Sequence, residues 1–218
     1  MAFFSDTFTD TDAVQLQSHT PTIGTSWTRL WGTNAAHDFE INANAARPDT
    51  NAGSSGLIYT GDATPPSANY DVTFTLVTSS TLGPVYAFVR IQDQENMYGV
   101  YIFQGTTICS LYKKVAGTWT ALGSLFDEPA AGSVCKLEIN GSTLKFYDDG
   151  VEVASATDSD ISLAGKLGIG AGGGAELVTS TDALRAGVKL DTLTGNDLGA
   201  GAAVVVPVLM QHYRSRKS

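Results

Sequence analysis

The stretch from Val134 to Ala156 constrains the fold more than any other part of the chain. Val134, Lys136 and Glu138 alternate with Cys135, Leu137 and Ile139, which gives a strand one polar and one apolar face. Asn140-Gly141 follows, a pair that supplies two positive-φ positions for a tight hairpin turn. The next strand, Leu144 to Tyr147, ends at Asp149-Gly150, a second turn of the same kind, and Val151 to Ala154 completes a meander. Short strand signals separated by turn residues recur along the chain. They fall near Trp27–Trp31, Phe39–Ile41, Leu57–Tyr59, Tyr70–Val77, Val85–Ile91 and Tyr98–Phe103. Others fall near Ile108–Val115, Thr118–Leu125, Val134–Ile139, Thr143–Tyr147, Val151–Ala156, Lys166–Ile169 and Ala183–Leu190. No segment holds a 3.6-residue period over three turns. Strands without helices predict an all-β fold, a two-sheet antiparallel jelly-roll sandwich.

Two strands depart from alternation. Val85–Val89 and Tyr98–Phe103 are apolar on both faces, so each is expected to be central and covered, or to line a groove. The body is read as 1–194. From Asp191 a Gly-rich texture begins, and 195–218 is read as a linker and C-terminal extended arm. In that arm Val204, Val205, Val206 and Leu209 are apolar, and Tyr213, Arg214, Arg216 and Lys217 close the chain. An apolar segment left in water is unfavourable. The arm is therefore expected either to add a strand to a neighbouring subunit, its basic tip facing an acidic body, or to complete a strand of its own sandwich.

Charge excludes some partners. Among 218 residues, 13 Lys and Arg stand against 22 Asp and Glu, a net −9. That field repels phosphates and anionic lipid, so nucleic acid is not an expected partner. The longest apolar run, Ala202–Met210, is too short to span a bilayer, and no membrane insertion is expected. The first residues lack the basic and apolar regions of a signal peptide. Cys109 and Cys135 are the two cysteines, read as small buried hydrophobes, with a cross-strand disulfide as the lesser alternative.

Three stretches carry a family resemblance. One is Asp6-Thr7-Phe8-Thr9-Asp10-Thr11-Asp12, continuing through Ser18-His19-Thr20-Pro21 to Trp27. The second is Val89-Arg90-Ile91-Gln92-Asp93-Gln94-Glu95-Asn96-Met97-Tyr98-Gly99-Val100. The third runs from Leu137-Glu138-Ile139-Asn140-Gly141 through Asp149-Gly150-Val151 to Asp160-Ile161 and Gly165-Lys166-Leu167-Gly168-Ile169. Together they resemble the concanavalin A-like (laminin-G-like) jelly rolls of bacteriophage structural and bacterial surface proteins. The resemblance covers about residues 5–190 and implies two curved antiparallel sheets, with glycan or protein recognition on the concave face or rim loops.

Catalysis is not expected. Glycoside hydrolysis needs two carboxylates about 5–10 Å apart, and the resemblance would place them on one strand in a Glu-x-Asp-x-x-Glu pattern, which is absent. The clusters Asp93/Glu95, Asp127/Glu128 and Asp148/Asp149/Glu152 fall at turns, where acids cap backbone N–H groups. His19, His37 and His212 show no metal spacing. Gly170 to Gly174 is not a phosphate-cradling loop, because no Lys-Ser/Thr follows.

Two binding constellations remain. Asp6, Asp10, Asp12 and Asp191 are candidate ligands for a structural calcium, since the first and last strands of a jelly roll often pair; solvated turn acids are the alternative. Arg90, Asp93, Tyr98, Tyr101, Tyr112 and Trp119 are candidate glycan-binding residues, stacking on sugar rings with polar groups beside them; the alternative is that the aromatics fill the core. The reading is a non-enzymatic structural or binding protein. A phage virion component, a head decoration or tail-appendage subunit, is expected, with other virion or self subunits and host surface glycans as partners. The runner-up is a free carbohydrate-binding module, and a glycan-active hydrolase stands third.

Overall fold

Alternating side chains and turn-forming pairs make fifteen strands in the computed structural model, which describes residues 1–31, 39–48, 57–78, 84–103, 109–172 and 189–199. They are β1 (Ala2–Asp6), β2 (Trp27–Trp31), β3 (Phe39–Ile41), β4 (Ala46–Pro48), β5 (Leu57–Gly61), β6 (Tyr70–Thr78), β7 (Pro84–Asp93) and β8 (Asn96–Phe103). The rest are β9 (Cys109–Val115), β10 (Thr118–Phe126), β11 (Val134–Asn140), β12 (Thr143–Asp148), β13 (Val151–Thr157), β14 (Lys166–Ala171) and β15 (Lys189–Asp197). Among the described residues the one helical element is a 3-10 turn at Leu16–Ser18.

An eight-stranded sheet runs β13-β12-β11-β6-β15-β4-β3, with β1 also pairing β15. A seven-stranded sheet runs β10-β9-β8-β7-β14-β5-β2. All pairings are antiparallel. The inward positions form one continuous core: Val72, Phe74 and Leu76 from one sheet meet Val85, Ala87 and Val89 from the other. Each such Val, Leu or Phe side chain contributes about 1.5–3 kcal/mol when fully buried. This is the jelly-roll sandwich expected from the pattern.

The meander forms as read: Cys135, Leu137 and Ile139 point inward, and β11, β12 and β13 are neighbours. Its first turn shifts by one residue. Asn140 pairs with Thr143, so Gly141-Ser142 forms the loop, and only Gly141 has positive φ, at 59°. Asn140 ends its strand because it can keep an extended backbone once glycine takes the first loop position, the pattern of a type II′ turn. Asp149 and Gly150 do both have positive φ, 47° and 81°. Ala116-Gly117 makes a further turn of this kind between β9 and β10.

Three readings are corrected. β1 and β4 are strands that the pattern did not reveal, because segments of five and three residues are too short to show an alternation of their own. The linker expected from Asp191 is instead strand: β15 carries its pairing past residue 194, with Gly195 opposite both Val72 and Phe4. Gly195 is there for room, since a Cβ would lie 2.4 Å from Leu167. Arg90, a candidate glycan-binding residue on the apolar strand β7, does not turn outward with Tyr86 and Phe88. Its φ is 50° and the β7–β8 register shifts beyond Val89, a bulge that re-aims a side chain. Its guanidinium turns inward and donates to the carbonyls of Ala68, Gly141 and Ile161 at 2.8–2.9 Å. Both cysteines are free and buried. Ile108, Ala183 and the arm residues Val204, Val205, Val206, Leu209, Tyr213, Arg214, Arg216 and Lys217 lie outside the described residues.

Candidate functional site

The outward positions of the seven-stranded sheet carry a second apolar cluster, separate from the core: Ile58, Tyr86, Phe88, Ile91, Met97 and Tyr101. Trp31, Phe103, Tyr112 and Trp119 pack against it, half-buried. Period-2 alternation puts Ile58, Tyr86, Phe88, Met97, Tyr101, Phe103 and Tyr112 there, each one residue away from a core position on its own strand. Glycines make the cluster flat. Phe88 is flanked by Gly99 on β8 and by Gly170 on β14, where an added Cβ would stand 2.6 Å and 2.9 Å from its ring. The ring therefore lies against bare backbone, stacked on Tyr86 at 5.4 Å.

This face is concave. Strands lie about 4.8 Å apart, so the two edge strands of a flat seven-stranded sheet would be roughly 29 Å apart. Yet Trp31 on edge strand β2 and Trp119 on edge strand β10 line one cleft together with Tyr86 and Phe88. The cleft is shallow, with a free volume of about 10 Å³, the room of roughly one water molecule. A ligand would lie across the half-buried rings rather than sink beneath them.

Lys114 lies on this face near the end of β9, beside the β7–β8 turn. Its ammonium is 4.0 Å from the Trp31 ring centroid and 5.5 Å from that of Trp119, positions of cation–π attraction. It donates to the Gln94 carbonyl at 2.7 Å and stands 3.8 Å from Glu95. Burial pulls its pKa down, against the raising effect of Glu95 and Asp93. The Tyr101 hydroxyl is buried with no hydrogen-bond partner, although buried hydroxyls normally have one. Burial raises the pKa of Tyr86 and of Tyr101, so both phenols remain neutral.

The six glycan candidates thus divide. Tyr101, Tyr112 and Trp119 share the concave face. Tyr98, three residues before Tyr101, points to the opposite side of β8 and is fully buried in the core. Its hydroxyl donates to Asp158 at 2.6 Å and accepts from the Ile161 N–H, and burial pushes its pKa up to about 12. Arg90 lies inside, as above. Asp93 caps the β7–β8 turn, accepting from the Glu95 N–H at 2.7 Å and from Asn96. These hydrogen bonds lower its pKa, the backbone one most. Arg90 and Tyr98 thus lie inside the sandwich, and Asp93 lies at the exposed β7–β8 turn. The missed members are Trp31, Tyr86, Phe88 and Lys114. The doubly apolar pattern of β7 signalled Tyr86 and Phe88, whereas nothing local marks Trp31 or Lys114.

The calcium candidates do not converge. Asp6 is buried and saturated, accepting from the Phe8 N–H, from Trp27 Nε1 at 2.6 Å and from His19 Nε2 at 2.9 Å. Asp10 holds the other nitrogen of His19 at 3.0 Å. Asp12 caps Ala43. Asp191 pairs with Thr75 on the outward side, across the sheet from Asp6. Among the described residues no three His, Cys, Asp or Glu side chains could hold a metal ion together. The physical reason is that tryptophan and histidine already occupy the Asp6 oxygens. Burial pulls the His19 pKa down, but its bonds to Asp10 and Asp6 outweigh that and leave it raised.

The two antiparallel sheets form a jelly-roll sandwich, a fold shared with concanavalin A-like domains. No protein-family model matches the sequence, and no curated protein matches it. Solved structures do match in fold. The carbohydrate-binding module CBM66 from Bacillus subtilis aligns at 16% identity with a TM-score of 0.52, covering 78% of this chain and 95% of its own. A prokaryotic β-1,3-1,4-glucanase (lichenase) from a mouse hindgut metagenome aligns at 12% identity and a TM-score of 0.57, covering 89% and 99%. The potassium-bound carbohydrate recognition domain of Emp46p aligns at 12% identity and a TM-score of 0.56, covering 85% and 96%.

Proposed function

We propose that this domain is a non-catalytic carbohydrate-binding module and that the concave face is its binding surface. The observation that carries the reading is the row of half-buried rings, Trp31, Trp119 and Tyr112, set around Lys114 and an unpartnered hydroxyl on Tyr101. Flat rings offer a sugar an apolar face, and the polar groups beside them offer hydrogen bonds. The fold neighbours support the reading, two of them named for carbohydrate binding and one for glucan cleavage. Against cleavage stands the sequence, which lacks the Glu-x-Asp-x-x-Glu strand pattern that the family resemblance would require for a carboxylate pair. Between the two carriers expected from sequence, these neighbours favour the free module over the virion subunit.

Affinity electrophoresis against a polysaccharide panel tests the proposal. Wild type is expected to be retarded by at least one polysaccharide, and Trp119→Ala to lose that retardation while keeping its melting temperature within a few degrees. Retardation that survives both Trp119→Ala and Trp31→Ala would remove the concave face as the site. Release of reducing ends by wild type would overturn the non-catalytic part.

A further inference from the structure

We propose that the concave face takes glycans carrying an anionic substituent, a carboxylate or a sulfate, and that Lys114 reads that group. The inference rests on the binding face proposed above and names its ligand class. Other lysines with shifted pKa values show what a satisfied ammonium looks like here. Lys113 touches Asp158 at 2.5 Å and Asp160 at 2.6 Å, Lys136 touches Glu138 at 2.8 Å and Lys145 touches Glu152 at 2.7 Å. Lys114 is more buried than any of these and is the least neutralised. Its side chain is 4% exposed, yet its carboxylate neighbour Glu95 stands at 3.8 Å and is itself 45% exposed.

One ammonium proton goes to the Gln94 carbonyl, and the rest of the group lies against the Trp31 and Trp119 rings and the half-exposed Glu95. A buried ammonium whose counter-ion stands at 3.8 Å and is itself half exposed has its electrostatic cost only partly met. An anion arriving from solvent would meet it with charge-assisted hydrogen bonds. The chain as a whole is strongly acidic, at −9, so it repels polyanions at long range. Selective binding of one would therefore have to come from a local contact of this kind.

The test is calorimetric titration at about 0.15 M ionic strength, where long-range fields are screened beyond roughly 8 Å. The probes are unsulfated chondroitin, dextran sulfate, and neutral dextran and laminarin. Wild type is expected to bind at least one anionic polymer more tightly than the neutral ones. Chondroitin alone would assign a carboxylate, and dextran sulfate alone a sulfate. Lys114→Met should narrow the anionic-to-neutral affinity ratio by about tenfold or more, the size of a lost bond to a charged group. Lys114→Arg should keep the preference, and Glu95→Gln, which removes the competing carboxylate, should widen it. Lys145→Met, on the opposite sheet, serves as the control and should leave the ratio as it is. Equal or tighter binding of the neutral polymers, or a ratio indifferent to both Lys114→Met and Glu95→Gln, would overturn the anionic reading and leave carbohydrate binding standing. Failure to bind any polymer would overturn both.

Discussion

The outward faces of the two sheets obey the same alternation and differ in everything else. On the eight-stranded sheet the outward row presents Thr73, Thr75, Lys136, Glu138, Lys145 and Tyr147, with Lys136 paired to Glu138 and resting over Tyr147 at 4.0 Å. That is a solvated face, and its ion pairs are of the exposed kind that contribute little. On the seven-stranded sheet the matching row is aromatic, and Phe88 and Met97 there are as buried as core residues. One sheet packs on one side and the other on both. A sheet face that spends apolar side chains without belonging to the core is where a ligand surface is built.

The largest expected effect tests that second buried side. Phe88→Ala should cost about 3–5 kcal/mol, as a core phenylalanine does, whereas Lys145→Ala on the polar face should melt with wild type. Chemical denaturation of both variants checks this. A Phe88→Ala cost as small as that of Lys145→Ala would show that the aromatic cluster contributes no packing and that the contrast between the faces is only one of composition.

A smaller effect sharpens the other side of the comparison. The polar-faced meander has no outer cover, so its register depends on its turns. Gly141→Val forces a β-branched residue to a φ of 59°, which costs on the order of 1–2 kcal/mol or somewhat more. Nothing lies within 4 Å of the position where the new Cβ would sit, so the loss would be backbone strain alone. A thermal melt indistinguishable from wild type would mean that the strands, not the turn, hold the register.

The smallest effect concerns the inner side of the eight-stranded sheet, where polar groups are buried with partners. His19 bridges Asp6 and Asp10, and its pKa is raised above the ordinary 6.5. A group whose pKa rises on folding stabilises most fully below its unfolded value, and that stability fades as pH climbs through the folded value. Melting temperature should therefore decline as pH rises above about 6.5, the unfolded histidine value, and His19→Gln should flatten the decline. A wild-type melting temperature that is level or increasing across that range would show that the bridge does not hold a proton.

Much of this was legible along the chain. Alternation in Val134–Ile139 and the glycine turns at Gly141 and Gly150 gave the meander, and the unbroken apolar runs of β7 and β8 foretold a covered or groove-lining sheet. These are local properties: side chains alternate with period two, and a positive φ favours glycine. Tyr101, Tyr112 and Trp119 were visible on the same grounds, as aromatics on neighbouring strands. Arg90 was misplaced because a bulge reverses the alternation, and no residue type announces a bulge. Trp31 and Lys114 are 83 positions apart in the sequence, and Lys114 looks like any lysine near a hairpin. Only the curvature of a seven-stranded sheet brings the edge-strand tryptophan onto that ammonium. Curvature arises from the accumulated twist of many paired strands, a sum over the whole sheet that no single segment contains. The same holds for Asp6, which reads as one of four acids near the chain ends until the packing of Trp27 and His19 fills its oxygens.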